Sequence, residues 1–165
     1  MRRVPALVTF AAAALVGLCL AAPAAHAAIY VPADDLTLSF DAPVRTVIDN
    51  GAPGTSVGDL TVTSGDIQNL RSGKRIGYYA TNQVTVRADM ATGHEIRKVD
   101  LSVALRDGTI FATSLIRAEL GTPPSQDQVF AITGGTGAYA GARGTLVHGP
   151  VQGQPGFLVK VDFQQ

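Results

Sequence analysis

Hydrophobic residues recur at every second position along most of this chain, and this alternation restricts the fold more than any other feature. In Leu36–Phe40, Leu60–Thr63 and Leu101–Leu105, each apolar residue is followed by a polar or small one. Successive side chains of a β-strand point to opposite faces, so the pattern is typical of half-buried strands. No segment after the first 27 residues has the 3.6-residue period of an amphipathic helix. The sequence therefore predicts an all-β protein.

Further strands are predicted where β-branched and aromatic residues cluster between turn signals. These segments are 44–49, 75–88, 109–119, 129–133, 144–147 and 157–163. Turn-forming sequences such as Asp49-Asn50-Gly51 and Asp107-Gly108 separate almost all of them. About eight strands in one small domain form a sandwich or a closed barrel, and we favour an eight-stranded antiparallel barrel because closure removes exposed edges. The interior of such a barrel is either filled by side chains or holds one small ligand.

The first 27 residues have the organisation of a cleavable secretory signal peptide. Arg2 and Arg3 precede an apolar run over Ala6–Ala22, and Ala25–Ala27 supplies the small residues of a cleavage site. We expect cleavage near the last of these alanines, secretion, and a single barrel domain over residues 28–165. The apolar run is short for a membrane anchor, so we expect no membrane association after cleavage.

Charge and cysteine content exclude several functional classes. The chain has 13 basic and 13 acidic residues, and losing Arg2 and Arg3 leaves a formal charge of −2. Nucleic-acid binding requires concentrated positive charge, and no basic cluster is present, so we expect no nucleic-acid partner. Cys19 is the only cysteine and lies in the predicted signal peptide. Burial in one core must therefore stabilise the mature domain without disulfides.

The segment Phe130–Gly144 contains a glycine-dense sequence that matches a dinucleotide-binding spacing. Gly135, Gly137 and Ala140 fit G-x-G-x-x-A, which binds a dinucleotide only between a strand and a helix. A β-branched run follows Gly144, which leaves no room for a helix there. We interpret the segment as a tight turn between two strands.

Two other patterns resemble catalytic or metal-binding sequences but lack the expected context. Gly54–Gly58 fits G-x-S-x-G, yet Ser56 lies in a glycine-rich loop and not between a strand and a helix, so we interpret it as a turn. His94 and His148 are far apart in sequence, and no cysteine accompanies them in the mature chain. We expect both to be surface-loop histidines and predict no metal.

Ionisable residues at or near predicted strands are the candidates for chemistry. They are Asp41, Asp59, Asp66, Arg87, Arg117, Glu119 and Arg143. Most should face solvent, but any that converge in the lumen would have perturbed pKa values and could polarise a ligand. The guanidinium of Arg143 could hold a carboxylate, a phenolate or a developing oxyanion, or form a salt bridge that closes the barrel end. Tyr78 and Tyr79 face opposite ways, so at most one lines a cavity.

Two sequence blocks resemble the allene oxide cyclase and dirigent barrel superfamily, in the form carried by small secreted bacterial proteins. The first block is Asp49–Asp59 with Ser64–Asp66 and Gly73–Gly77, and the second is the glycine turn Phe130–Gly144. Asp107–Ile110 lies between them as the family's strand turn would. The resemblance spans Leu36 to Phe163, which is essentially the whole mature domain.

The resemblance implies an eight-stranded antiparallel barrel, usually a homotrimer, around an apolar pocket. Cyclases of this family steer a reactive allene oxide by confinement, and dirigent members orient phenolic radicals or quinone methides. We therefore expect a small hydrophobic or aromatic ligand and no cofactor, with a role as an isomerase, a cyclase or a dirigent-like stereochemical guide. A preformed dry pocket suits this role because it restricts the ligand to reactive geometries.

The candidate site residues are Asp41, Asp59 and Arg143. Arg143 matches the arginine of the family's turn, and Asp41 lies near the position of a first-strand aspartate in dirigent members. The plant cyclases carry a glutamate and an asparagine on the first strand and a cysteine near the position of Gln83, so allene oxide cyclisation itself is poorly supported. The alternative is a non-catalytic extracellular structural or interaction module with a packed barrel, and an internal cavity would distinguish the two.

Overall fold

The computed structural model describes residues 36–41, 43–70, 72–122, 125–150 and 157–164. The predicted signal peptide lies outside these residues, so its cleavage, secretion and the domain start at residue 28 stay predictions. Within the described part of the chain, no helix is long and apolar enough to span a membrane.

Nine β-strands and one short 3-10 turn make up the described fold. The strands are β1 (Leu36–Phe40), β2 (Val44–Ile48), β3 (Leu60–Asn69), β4 (Arg75–Asp89), β5 (His94–Leu105), β6 (Gly108–Glu119), β7 (Gln128–Gly135), β8 (Gly144–Pro150) and β9 (Phe157–Phe163). The 3-10 turn, Gly137–Tyr139, lies between β7 and β8. The all-β prediction is confirmed, and each strand predicted from the alternation is present.

The strands form a closed antiparallel ring of eight, as predicted. Neighbouring strands pair in the order β1-β9-β8-β7-β6-β5-β4-β3, and β1 then pairs with β3 to close the ring. β2 lies farther along the same edge of β3, where Val44–Ile48 pairs with Leu60–Ser64. β1 and β2 are therefore two halves of one interrupted strand position, which reconciles nine strands with an eight-stranded barrel.

Side chains fill one half of the lumen. This apolar end is closed by the loops β3–β4, β5–β6 and β7–β8, and the opposite polar end carries the loops β2–β3, β4–β5 and β6–β7. The side chains that are almost fully buried are Leu38, Phe40, Ile67, Tyr79, Leu101, Val103, Ile110, Leu146, Val159 and Val161. The Phe40 and Tyr79 rings stack with centroids 4.0 Å apart. Such burial is the main favourable term for a domain without disulfides.

The glycine turn after β7 covers the apolar end. Gly137 has φ +58°, and a Cβ there would lie 2.2 Å from the backbone oxygen of Asp107, so the position requires glycine. The turn buries Tyr139, whose ring stacks on Phe163 at a centroid distance of 6.1 Å. The segment therefore plugs the barrel, and it adopts the strand–turn–strand geometry expected from its sequence.

The hydrogen-bonded pairing between β6 and β7 covers only part of the length of these strands. Their ladder joins Ile110–Thr113 to Ala131–Gly135, and among the described residues it does not continue toward the polar end. Beyond it the Ser114 hydroxyl donates to the Val129 carbonyl at 2.6 Å. The two strands therefore diverge as they approach the polar end.

Candidate functional site

The inner surface of the barrel changes from apolar to polar along the barrel axis. Toward the polar end, β3 turns Thr61 and Thr63 inward, while Leu60 and Val62 lie on the outer face. On β4 the inward positions after Tyr79 are Thr81, Gln83 and Thr85, and on β5 they are Glu95 and Arg97. Seven polar side chains on three adjacent strands therefore line this half of the lumen. We call this half the polar lumen.

A buried ion pair lies at the centre of this polar surface. The side chains of Glu95 and Arg97 are 1% and 3% exposed, and the guanidinium donates directly to the Glu95 carboxylate. The carboxylate also accepts from the Thr85 hydroxyl at 2.9 Å and from the Gly121 backbone N–H at 2.9 Å. A carboxylate taken out of water requires such partners, and here three donors supply them.

The electrostatic environment keeps Glu95 ionised. Burial by itself would raise the pKa of Glu95, but the hydrogen bonds from Arg97, Gly121 and Thr85 outweigh it, so that this pKa is lowered. The charges of Glu95 and Arg97 also affect the pKa of Arg45, which lies opposite Thr63 in the β2–β3 pairing. Desolvation and the positive charge of Arg97 lower the pKa of Arg45, and Glu95 opposes this effect.

Arg97 extends the network toward the middle of the barrel. Its second terminal nitrogen donates to the Gln83 side-chain oxygen at 3.4 Å, and the Gln83 amide donates to the Thr81 hydroxyl at 3.2 Å. A guanidinium has five N–H donors, and these contacts engage two of its nitrogens. The group is held in a fixed orientation and keeps donor capacity for an oxygen atom of a ligand.

His148 lies inside the barrel wall, which corrects the prediction of a surface-loop histidine. It belongs to β8, pairs with Gln128 and Val159, and its ring faces Phe40 at 5.8 Å and Phe130 at 6.4 Å between centroids. Desolvation lowers the pKa of His148 to about 4, although the nearby Asp127 charge acts in the opposite direction. The imidazole is therefore neutral near pH 7. His94 is likewise no loop residue, since it begins β5.

An aromatic layer separates the polar lumen from the packed apolar end. Phe40 contacts the rings of both Tyr79 and His148. The Tyr79 hydroxyl donates to the backbone carbonyl of Asp41 at 3.3 Å, and burial raises the pKa of Tyr79 to about 12, with a smaller effect from the Asp41 charge. Tyr78 faces solvent, as the strand alternation predicted. The polar lumen therefore rests on a rigid, uncharged aromatic floor.

Asp59 supports the loop between β2 and β3. Its carboxylate accepts from the backbone N–H of Ser56 at 2.7 Å, from that of Asn50 at 2.9 Å, and from the Ser56 hydroxyl at 3.1 Å. These bonds, led by the one from the Ser56 N–H, lower the pKa of Asp59 despite some desolvation. The Asn50 carbonyl lies 3.0 Å from the same Ser56 hydroxyl, so the single hydroxyl proton is shared between two acceptors. The G-x-S-x-G segment is therefore a loop, as expected.

Asp41 and Arg143 lie away from Asp59 and from each other. Asp41 is exposed at the interruption between β1 and β2, where its carboxylate accepts from the Gln68 amide at 3.1 Å. Arg143 is exposed at the plugged apolar end and donates to the Ala142 carbonyl at 2.7 Å. The structure does not bring the three predicted site residues together, and their action on a ligand stays a prediction.

The sequence analysis missed Glu95 and Arg97, although a signal for them exists. The alternation that places Val99, Leu101 and Val103 in the core continues backward to Arg97 and Glu95 without a break. Charged residues are rare on the core face of a strand, but the unbroken alternation predicts that both of these side chains point inward.

A resident metal has no evident ligand set in this region. Among the described residues, no group of three histidine, cysteine, aspartate or glutamate side chains lies close enough to hold a metal ion.

The closed ring and the polar lumen define the class of protein. This is an antiparallel eight-stranded β-barrel whose inward-facing side chains are apolar toward one end and polar and charged toward the other. The chain belongs to the family of allene oxide cyclase barrel-like domains, whose profile matches residues 40–163. A search of curated proteins found no match.

Solved structures support the same assignment. A protein named pyocyanin demethylase is 27% identical with a TM-score of 0.65, over 79% of this chain and 100% of that one. A Diels–Alderase from Streptomyces koyangensis is 16% identical with a TM-score of 0.56, over 78% of this chain and 68% of that one. A pterocarpan synthase dirigent protein is 17% identical with a TM-score of 0.53, over 79% and 84%. The last two show the fold alone.

Proposed function

We propose that this protein is a secreted barrel that binds a small aromatic or hydrophobic metabolite in its polar lumen and guides the reaction of that metabolite without a cofactor. The observation that carries this proposal is the buried Glu95–Arg97 pair inside the barrel. A buried ion pair often contributes no more to stability than well-packed apolar residues of similar volume, so stability alone does not explain why two charges lie inside the barrel. Ligand recognition would explain them.

The two sides of the polar lumen suit the two ends of an aromatic ligand that bears an oxygen atom. The neutral His148 ring is half-buried and lies against Phe40 and Phe130, so it offers an apolar surface against which a planar ring can pack. Arg97 is held by Glu95 and Gln83 and offers remaining N–H donors to a carbonyl or phenolate oxygen. A ligand bound in this way would be confined in both orientation and conformation.

The chemistry that these groups support is confinement with proton transfer. Arg97 would stabilise negative charge that develops on an oxygen, and the neutral His148 imidazole is able to accept a proton. Such a pair is sufficient for an isomerisation or a cyclisation in which no electrons are exchanged with another molecule. Restricting the ligand to a reactive conformation contributes to the rate in the same way as in other preformed sites.

The comparisons support an aromatic ligand. The structure of 27% identity is named for pyocyanin, which is a planar heteroaromatic compound that carries an oxygen substituent. Other members of the fold are named as a Diels–Alderase and as a dirigent protein. We include in the proposal secretion after signal cleavage, which the first 27 residues predict, and assembly as a homotrimer, which the family resemblance implies.

The test is a binding titration of the mature protein with pyocyanin as the first probe and a simple phenol as the second, followed by calorimetry. We expect Arg97→Gln and His148→Leu each to weaken binding about tenfold, because each removes one side of the site. Arg75→Gln is the matched control, since Arg75 is an exposed arginine at the other end of the barrel, paired with Asp66.

Circular dichroism of each variant separates loss of binding from loss of folding. Folded Arg97 and His148 variants that bind both probes as tightly as the parent protein would overturn the luminal site. Absence of binding by the parent, together with no small molecule in the protein secreted by its own host, would favour the packed structural module.

A further inference from the structure

A second group of polar residues lies on the outer face of the barrel near its polar end, and the luminal site does not use it. Residues directly opposite one another on neighbouring strands point to the same face, and β4, β5 and β6 pair in this region. Glu95 and Arg97 face inward, so Ile96 faces outward. The register forms two rows, Arg87–Ile96–Arg117 and Asp89–His94–Glu119, which we call the rim grid.

The first row of the rim grid carries two cations that the fold leaves available. Arg87 and Arg117 are exposed, and within the described residues neither forms an ion pair or a side-chain hydrogen bond. They flank the side chain of Ile96 at the two neighbouring strand positions, roughly 10 Å apart across three strands. Two planar donor groups on either side of an apolar surface are suited to a carboxylate.

The second row of the rim grid, Asp89–His94–Glu119, contains hydrogen-bond acceptors. The Asp89 carboxylate is used by its own turn, where it accepts from the backbone N–H groups of Ala91 and Thr92. Glu119 has no such bond to its carboxylate among the described residues. The Nδ1 atom of His94 is buried and has no hydrogen-bond partner in the described part of the chain. Buried polar atoms nearly always have a partner, and the His94 residue lines the open space beside the rim grid.

Open space lies beside these groups. Two grooves of about 530 and about 250 Å³ share His94 and Arg117 as lining residues. The smaller groove also touches Arg87 and Ile96, and the larger one touches Glu119. The larger groove has the volume of a small-molecule site, and a ligand that reaches both Glu119 and Arg87 would extend from it into the smaller groove past His94 and Arg117.

We propose that the rim grid binds a small zwitterion, with its carboxylate at Arg87 and Arg117 and its ammonium group at Glu119 and His94. The two rows are two residues apart along each strand, which corresponds to roughly 6.6 Å. An extended ω-amino acid, whose charges are separated by several carbon atoms, matches this spacing better than an α-amino acid does. The residues of the rim grid lie on the outer face, although the smaller groove also reaches the inward-facing Glu95, and the existence of this site does not depend on the luminal function.

The test is an NMR chemical-shift titration of the mature protein with γ-aminobutyrate. We expect shifts of the backbone amides of Ile96, Arg117 and Glu119, because these residues surround the bound molecule. Butyrate and butylamine each carry one of the two charges, and we expect each to bind about tenfold more weakly. Butyrate that binds as tightly as γ-aminobutyrate would overturn the zwitterion site in favour of a plain anion site.

Substitutions separate this site from the lumen. Arg117→Gln and Glu119→Gln should each weaken γ-aminobutyrate binding about tenfold, whereas Arg75→Gln at the other end of the barrel and the luminal His148→Leu should leave it unchanged. Tighter binding by Glu119→Gln, or no shifts at the rim grid up to the solubility limit of the probe, would also overturn the proposal.

Discussion

At the scale of single residues, the Glu95–Arg97 pair is held by geometry that leaves little room for substitution. Each group is almost fully buried, and the carboxylate has three donors around it. The desolvation cost of such a pair is comparable to its internal attraction, so its net contribution to stability is small. Removal of one partner is a different matter, because the other charge is then buried without compensation.

Arg97→Met should therefore be strongly destabilising. We expect the free energy of unfolding to fall by about 3–5 kcal/mol, the usual cost of breaking a buried pair. The double substitution Glu95→Leu/Arg97→Met removes both charges and should recover most of that loss while abolishing ligand binding. Urea denaturation of the three proteins measures this, and a double variant as unstable as the single one would contradict it.

His148 should make the stability of the barrel depend on pH. Its pKa is lowered from 6.5 to about 4 in the folded state, so the unfolded chain takes up the proton first as the pH falls. The stabilisation is fully present above pH 6.5 and is lost progressively as the pH falls to about 4, by up to about 3 kcal/mol. Denaturation of the parent protein and of His148→Leu between these pH values measures the difference. Equal slopes for the two proteins would contradict it.

At the scale of structural elements, the β2–β3 loop shows how one carboxylate can organise a glycine-rich segment. Asp59 receives the backbone N–H groups of Asn50 and Ser56 and holds the loop against the start of β3. Asp59→Ala should therefore increase hydrogen exchange at these two amides while leaving ligand binding in the lumen intact. Gln68→Ala, which releases Asp41 elsewhere on β3, is the control. Lost ligand binding with an ordered loop would instead assign Asp59 to the site.

Strand β5 contains both core residues and site residues on one face. Val99, Leu101 and Val103 point into the apolar end, and Arg97 and Glu95 point into the polar lumen. Alternation placed Leu101 and Val103 in the core, and the same period extended backward assigns Val99, Arg97 and Glu95 to that face. What it could not supply was the partner of each charge, because Thr85 and Gly121 approach Glu95 from other elements. Local periodicity fixes the face of a residue, but only the register between strands brings the partners together.

At the scale of the whole molecule, the outer surface of the barrel is unusually apolar in places. Val44 and Leu115 are 72% and 69% exposed, and Ile48 and Val84 are also exposed. Large exposed apolar residues are common at protein–protein interfaces. We expect native mass spectrometry of the mature chain to show a homotrimer. Val44→Lys or Leu115→Lys should weaken the trimer when the substituted residue lies in the contact between subunits. A monomer at micromolar concentration would contradict the assembly.

The fold could be predicted from the sequence further than the site could. Alternation and turn residues specify the strands, and the turn after β7 requires glycine at position 137 because a Cβ there would clash with the Asp107 backbone oxygen. The candidate site depends on residues that are distant in sequence, such as His148 and Phe40, which meet only when the ring closes. The exposed Arg143 matches the arginine of the family's turn in sequence, and its guanidinium donates to the Ala142 carbonyl of that turn.

The division of the lumen into a packed half and a polar half has an evolutionary consequence. The residues that make the barrel fold, such as Phe40 and Val103, occupy the packed half, and Gln83 belongs to the polar half. Under the proposed function, mutations at Gln83 would alter selectivity with little effect on the apolar residues that drive folding. A lineage that inherits such a barrel would then acquire new substrates through changes at one end while selection for folding acts on the other.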